Sequence, residues 1–220
     1  MSSQTINIAS NDQAEFNGHL VLPPAGEGPG LILGQEIFGI NSFMREMAEQ
    51  YAAEGYVVLV PDLFWRLEPG VDLGYSDTDR EKAFALYQQL DLDQAVDDVG
   101  TAVAALRAMP ECTGKVGFLG YCLGGSLAYL TAARHDLDVA IGYYGVGIEH
   151  HLDEAANISC PVMQHIAGLD GYTPPEVVAQ IDAVFATHTH LKYHLYPQSD
   201  HGFTTLRHRH CLLPIPRPTA

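Results

Sequence analysis

Two kinds of apolar pattern alternate along the chain. "TINIA" and "EFNGHLVLP" alternate polar and apolar side chains, the period of strands with one wet face, and predict an antiparallel start. "GPGLILGQE" then leads into "MREMAEQYAAEG", whose apolar spacing is helical and which stops at Gly55, a natural helix end. "YVVLVPD" is a continuous apolar run, the signature of a strand buried on both faces of a parallel sheet. "TDREKAFALYQQLD" and "LDQAVDDVGTAVAALRAM" predict two helices, the first with a capping box from Thr78 to Glu81 and the second ended by Pro110. "KVGFLG" reads as a strand, "DVAIGYYG" and "CPVMQHIAG" as further buried strands, and "LKYHLYP" as the last strand. "GGSLAYLTAARH" and "TPPEVVAQIDAVFATH" read as helices, the latter with prolines in its first turn and a capping box from Thr173 to Glu176. Strands alternating with helices in this way predict an α/β domain with a mostly parallel sheet. The loop "DLFWRLEPGVDLGYSDT" is too long to be merely connective and predicts a functional segment.

Composition narrows the function classes. At 220 residues, 47% of them hydrophobic, the chain suits one domain with a large core. A formal net charge of −16 argues against nucleic-acid binding, which needs clustered Lys and Arg to meet phosphates. The opening "MSSQTINIASNDQAEF" lacks the basic start and apolar run of a secretory signal, and no apolar run approaches membrane-spanning length. A cytoplasmic protein that binds no membrane is the expectation. The four cysteines, Cys112, Cys122, Cys160 and Cys211, form no Cys-x-x-Cys pair, and a chain of this size needs no disulfide staple. Cys112 and Cys160 read as small buried hydrophobes.

Cys122 differs because of "FLGYCLGGSLAYL", where an apolar strand runs through Gly-Tyr-Cys-Leu-Gly-Gly into a helix. In so sharp a turn the tip residue is strained and its side chain projects above the sheet, which requires small neighbours such as Gly120 and Gly124. The helix that begins there aims free N–H groups and a positive dipole end at the thiol, which favours the nucleophilic thiolate. The Leu123 N–H would point where an oxyanion forms. A glycine-rich turn can instead hold a phosphate, but Gly-x-Gly-x-x-Gly and a P-loop lysine are both missing. A nucleophile needs a base, and the base an orienting acid. "HIAGLDGYTPP" places Asp170 just past a strand, and "YPQSDHGF" places His201 just past the last one. The order Cys122, Asp170, His201 is the nucleophile, acid, base order of α/β-hydrolases. Asp200 is a rival acid, ranked lower because adjacent side chains on an extended segment point to opposite sides.

With these residues in place the sequence resembles the dienelactone hydrolases (carboxymethylenebutenolidases), cysteine enzymes of the α/β-hydrolase fold. The resemblance runs from about residue 5 to about residue 203 and is dense at "QEIFGIN", "VPDLFWR", "DREKAF", "KVGFLGYCLGG", "IGYYGVG" and "HGF". It implies Cys122 as nucleophile, His201 as base and Asp170 as its partner, with Glu36 contacting the thiol and helping to ionise it. It also implies an oxyanion hole from the backbone N–H groups of Leu123 and Ile37, and Arg80 as the group that binds a substrate carboxylate. By itself Arg80 reads only as a solvated residue in a first helical turn. Tyr87 matches an aromatic pocket residue, and Phe84 stands where the family can carry a tyrosine. The implied reaction opens dienelactone to maleylacetate with neither metal nor organic cofactor. One position departs: the family's second carboxylate-binding arginine is replaced by Thr205, with Arg207 nearby but displaced. "LRHRHCLLPIPRPTA" lacks helical periodicity and holds three prolines, so the expected division is an α/β-hydrolase domain over 1–205 and an atypical tail over 206–220. That tail reads as a truncation or another reading frame, with the closing helix of the fold missing.

Other features carry less. "HTH" at 188–190 and "HRHC" at 208–211 lack the four well-spaced ligands of a structural zinc site, and His150 and His151 read as surface loop residues. The acidic run "DLDQAVDD" reads as the solvated face of a helix. The function expected is hydrolysis of a small anionic lactone by a monomer. The alternatives are a carboxylesterase with another preferred ester, a catalytically impaired small-molecule binder, or a thiol redox sensor, the last without a resolving cysteine near Cys122.

Overall fold

A computed structural model describes residues 2–205. Its centre is one eight-stranded sheet built from β1 (Ser2–Ala9), β2 (Glu15–Leu22), β3 (Gly28–Gly34), β4 (Val57–Pro61), β5 (Cys112–Tyr121), β6 (Val139–Tyr143), β7 (Val162–Ala167) and β8 (Leu191–Tyr196). The order is β1-β2-β4-β3-β5-β6-β7-β8, and only β2 runs against the others. The central strands are apolar on both faces because both are covered. One face packs α2 (Asp77–Tyr87), α3 (Leu92–Ala108), α4 (Leu123–Arg134) and α5 (Pro175–Phe185) over Ile32, Leu59, Val116 and Phe118. The other packs α1 (Ser42–Ala53) over Leu31, Leu33, Val58 and Val60. The chain leaves β3 for β4 on one side and reaches β5 on the other, so the loops after β3 and β5 part at the carboxyl edge of adjacent strands. Open α/β sheets form their ligand crevices at such a switch point.

Several local expectations are corrected by tertiary context. The cap of α2 is Ser76 with Asp79, not Thr78 with Glu81: the Ser76 hydroxyl accepts from Asp79 N, and the Asp79 carboxylate accepts from Ser76 N. Helix α5 starts from Pro174 with Pro175 in its first turn, and no Thr173–Glu176 box forms. Proline at that position needs no capping partner, since its missing N–H is one of the unsatisfied donors anyway. The helix α1 ends at Ala53, with Gly55 just beyond in the left-handed region at φ +102°. Residues His150 and His151 belong to a kinked 3-10 helix, Ile148–Asn157, with His151 Nδ1 3.1 Å from Glu154. The strands β6 and β7 are not buried on both faces: Val139 and Met163 are exposed on the α1 side.

The acidic run is not wholly solvated either. Asp98 is buried and accepts from Trp65 Nε1 at 2.8 Å and from Arg66 Nε and Nη2 at 2.9 and 2.8 Å, while Arg66 Nη1 reaches Asp12 at 2.7 Å. The Arg66 guanidinium also lies 4.1 Å from the Trp65 ring centre. Together with Asp62, which accepts from Phe64 N and Gly70 N, these bonds fix the long loop after β4 in a defined shape. Among the described residues, no helix is long and apolar enough to cross a membrane, and no group of three or more His, Cys, Asp and Glu is placed to hold a metal ion. The expected tail, 206–220, lies outside the described residues, as do Arg207, the "HRHC" histidines and Cys211.

Candidate active site

The strand β5 delivers Cys122 at its carboxyl end. Cys122 has φ +53° and ψ −113°, a conformation that L side chains rarely adopt, and it immediately precedes the first turn of α4. The turn is tied down on both sides: Cys122 N donates to Tyr143 O at 2.9 Å, and Gly124 N donates to Gln35 O at 2.9 Å. Its small neighbours are a steric requirement. A Cβ on Gly120 would stand 2.0 Å from Gly124 O, and one on Gly124 would stand 2.4 Å from the Gly34 backbone. The helix that follows is buried along all but its last residue, so the strained tip is anchored in the core.

Two loops converge on this turn. Asp170 follows β7, and its side chain is fully buried; Oδ1 accepts from Tyr172 N at 2.9 Å, and Oδ2 lies 2.7 Å from His201 Nδ1. Asp200, the rival acid, instead accepts from His201 N at 2.7 Å and does not hold the ring. The edges of Tyr144 and Tyr172 flank the imidazole at 5.0 and 5.1 Å between ring centres. Burial works against protonating His201. Its hydrogen bonds to Asp170 and Cys122, with the charges of both, outweigh burial and push it up to about 10. The folded value therefore lies above the ordinary 6.5, so the protonated ring contributes stability that is fully present below about pH 6.5 and is lost as pH rises through about 10. Imidazole NMR titration is expected to show the midpoint falling in both Asp170→Asn and Cys122→Ala. Urea unfolding is expected to show the alkaline loss of stability moving to lower pH in the same variants.

The third convergence comes from the segment just after β3, Gln35, Glu36 and Ile37. Glu36 is buried; Oε2 accepts from the Tyr75 hydroxyl at 2.9 Å and Oε1 from that of Tyr144 at 3.3 Å. Burial raises its pKa, and these hydrogen bonds, with the nearby His201 and Arg80, oppose the rise. A cavity of about 330 Å³ opens among these groups, lined by Glu36, Ile37, Cys122, Leu123 and His201, with Arg80, Phe84 and Tyr87 from α2 forming the opposite wall. Spacings of four and three residues place those last three on one helical face. Every site residue expected from the sequence thus reaches one cavity except Asp170, which stands behind His201.

Sequence reasoning missed Tyr172, Val146 and Phe38 in the lining and the two tyrosines on Glu36. Tyr144 lies within "IGYYGVG" and Tyr75 within the loop singled out for its length, but neither stretch shows which side chain turns inward. Tyr144 also has φ +40°, a second strained residue at the site. Thr205, where the second arginine is absent, does not line the cavity: it is buried and donates from Oγ1 to Gly202 O at 2.6 Å, closing the turn that carries His201.

A mostly parallel eight-stranded sheet flanked by helices, with a strained residue between a central strand and a buried helix, defines an α/β-hydrolase. Residues 16–211 match the model of the dienelactone hydrolase family, and the chain belongs to that family. It is 37% identical over 204 residues to carboxymethylenebutenolidase of Pseudomonas putida, covering 92% of this chain and 86% of that one. It is 36% identical to carboxymethylenebutenolidase 1 of Cupriavidus pinatubonensis over 90% of this chain and 85% of that one. Among solved structures, dienelactone hydrolase from Anabaena variabilis superposes with a TM-score of 0.70 at 17% identity, covering 93% of this chain and 90% of that one. A dienelactone hydrolase-like promiscuous phosphotriesterase from metagenomic libraries gives 0.76 at 20% identity, covering 93% and 85%. The chain is an enzyme, a hydrolase of the carboxylic-ester and lactone type.

Proposed function

We propose that this enzyme opens dienelactone (4-carboxymethylenebut-2-en-4-olide) to maleylacetate through a covalent thioester on Cys122. The observation that carries the reading is a single cavity holding a thiol on a strained turn, an imidazole backed by a buried carboxylate, and Arg80. The Cys122 thiolate attacks the ring carbonyl carbon, forming a C–S bond, and the oxyanion is met by the N–H groups of Leu123 and Ile37. The Leu123 N–H opens α4 and has no partner within the helix. Collapse breaks the ring C–O bond, and the electron pair leaves as an enolate. That leaving group is far more stable than an alkoxide, and on protonation it becomes the ketone of maleylacetate.

His201 serves both halves of the cycle. Before substrate arrives its ring is held by Asp170 in the cavity that Cys122 also lines. Once Cys122 is acylated, its negative charge and its hydrogen bond to the ring are gone, and with them two of the influences that raise His201. The imidazole then becomes a base at neutral pH and takes a proton from the attacking water, and the thiolate departs. Glu36 stands in the cavity wall as the group that helps to ionise the thiol when substrate arrives.

Arg80 matters because the protein carries a formal charge of −16, and Glu36 and Asp200 also line the cavity. An anionic substrate needs a local cation there, and among the described lining residues Arg80 is the only Arg or Lys. Steady-state kinetics on dienelactone and on an uncharged aryl ester tests this directly. Arg80→Ala is expected to raise KM for dienelactone by roughly 10- to 100-fold, the equivalent of one charge-assisted hydrogen bond, and to change the neutral ester far less. Equal losses on both substrates would make Arg80 a structural residue, and wild-type turnover of the aryl ester alone would favour a general carboxylesterase.

A further inference from the structure

The loop after β4 returns to the segment that follows β3. Ile40 N donates to Val71 O at 3.0 Å, Leu73 N to Phe38 O at 2.9 Å, and Asn41 Nδ2 to Leu73 O at 3.1 Å, with Gly39 bridging antiparallel to Asp72. Gly39 has φ +78°, and a Cβ there would stand 1.8 Å from Val71 O, so only glycine lets the two segments approach this closely. Tyr75 stands just beyond this short ladder. Its ring packs on Phe38 at 4.7 Å between centres, its hydroxyl accepts from Asn41 Nδ2 at 3.4 Å and donates to Glu36 Oε2 at 2.9 Å, and its carbonyl accepts from Arg80 Nε at 3.4 Å. The same ladder that shapes the loop therefore aims one phenol at the buried carboxylate.

We propose that Tyr75 is a positioning residue for Glu36, its phenol holding the buried carboxyl group ionised and fixed in the wall of the cavity that Cys122 also lines. The inference rests on the reading that Glu36 helps to ionise the thiol. The titratable and charged groups around Glu36 are Tyr75 from the loop, Tyr144 from the end of β6, Tyr121 from β5, His201 from the loop after β8 and Arg80 from α2, with Cys122, Tyr87, Tyr172 and Asp200 lining the same cavity. Only phenols donate hydrogen bonds to its oxygens in this set, while His201 and Arg80 act at longer range. Burial drives Glu36 towards its neutral form, and the Tyr75 hydrogen bond is the largest influence opposing it. Tyr144 is less free to do so, because its hydroxyl also pairs with Thr204 Oγ1 at 2.7 Å.

Tyr75→Phe removes the hydroxyl and keeps both the ring on Phe38 and the main-chain carbonyl under Arg80. The Glu36 carboxyl can be followed by carbon-13 NMR, its resonance assigned by its loss in Glu36→Gln. Tyr75→Phe is expected to move that titration upward by about one to two pH units, the scale of one hydrogen bond to a charged group. The acid limb of kcat for dienelactone should move the same way, with KM unchanged and no further effect of Tyr75→Phe in a Glu36→Gln background. Installing the more acidic 3-fluorotyrosine at Tyr75 should move the Glu36 titration downward, a readout that needs no loss of packing. An unmoved Glu36 resonance in both proteins, or a rise in KM that matches the fall in kcat, would overturn the proposal and leave Tyr75 a loop-packing residue. Wild-type turnover by Glu36→Gln would instead remove Glu36 from the reaction, while the NMR shift would still decide whether Tyr75 holds it.

Discussion

Cys122→Ala is expected to lower kcat for lactone opening by about 10⁶-fold, the scale on which loss of the nucleophile reads in hydrolases of this type. No other group in the cavity can take over. His201 and Glu36 line it in the roles proposed for them, base and proton acceptor, and Cys160 is buried within the core with its thiol pushed up by burial. Cys112 lies at the opposite, amino-terminal end of β5 from Cys122. Cys122→Ser should recover little, because a serine hydroxyl stays protonated near neutral pH where a thiol can ionise. The same site offers a check on strain. A backbone at φ +53° costs a cysteine of the order of 1–3 kcal/mol and costs a glycine almost nothing. Cys122→Gly should therefore be inactive yet at least as resistant to heat as the parent. A marked fall in its melting temperature would show that the turn is held by the side chain rather than tolerated for it.

Asp170→Asn is expected to lower kcat by about 10²–10⁴-fold, and Asp200→Asn by less than a factor of about three. The two carboxylates are both near His201, but only Asp170 meets the ring. An amide at that position can turn its NH2 towards Nδ1, which selects the wrong tautomer, and it removes a charge that stabilises the imidazolium. The buried side chain of Asp170 has no solvent to replace what is lost. Asp200 accepts from the backbone N–H of His201 rather than from its ring, so its loss leaves the ring in register. Comparable losses in the two variants would mean that the base is oriented by the loop as a whole rather than by one hydrogen bond.

What could be read from the chain, and what could not, follows from the range of the forces involved. Cys122 was legible because its glycines are adjacent in sequence and the steric need for them is local. Asp170 and His201 were legible because each sits within a few residues of the end of a strand, and strand ends of a parallel sheet share one edge. The capping of α2 was ambiguous for a physical reason: "SDTDRE" offers both Ser76 with Asp79 and Thr78 with Glu81, and docking of the preceding loop against Gly39 favours the earlier start. Asp98 looked solvated because its partners, Trp65 and Arg66, come from a loop more than thirty residues earlier. Tyr75 and Tyr144 were invisible as Glu36 ligands for the same cause. A resemblance supplied the weight on Glu36 and Arg80 that spacing alone did not.

The central claim is that chemistry passes through one thiol, and limited alkylation with iodoacetamide tests it most directly. Peptide mapping of partly inactivated samples should show activity falling in proportion to the carboxamidomethyl label on Cys122, whatever label the other three cysteines carry. Inactivation that tracks label on one of those three, or full turnover by protein labelled at Cys122, would contradict the account.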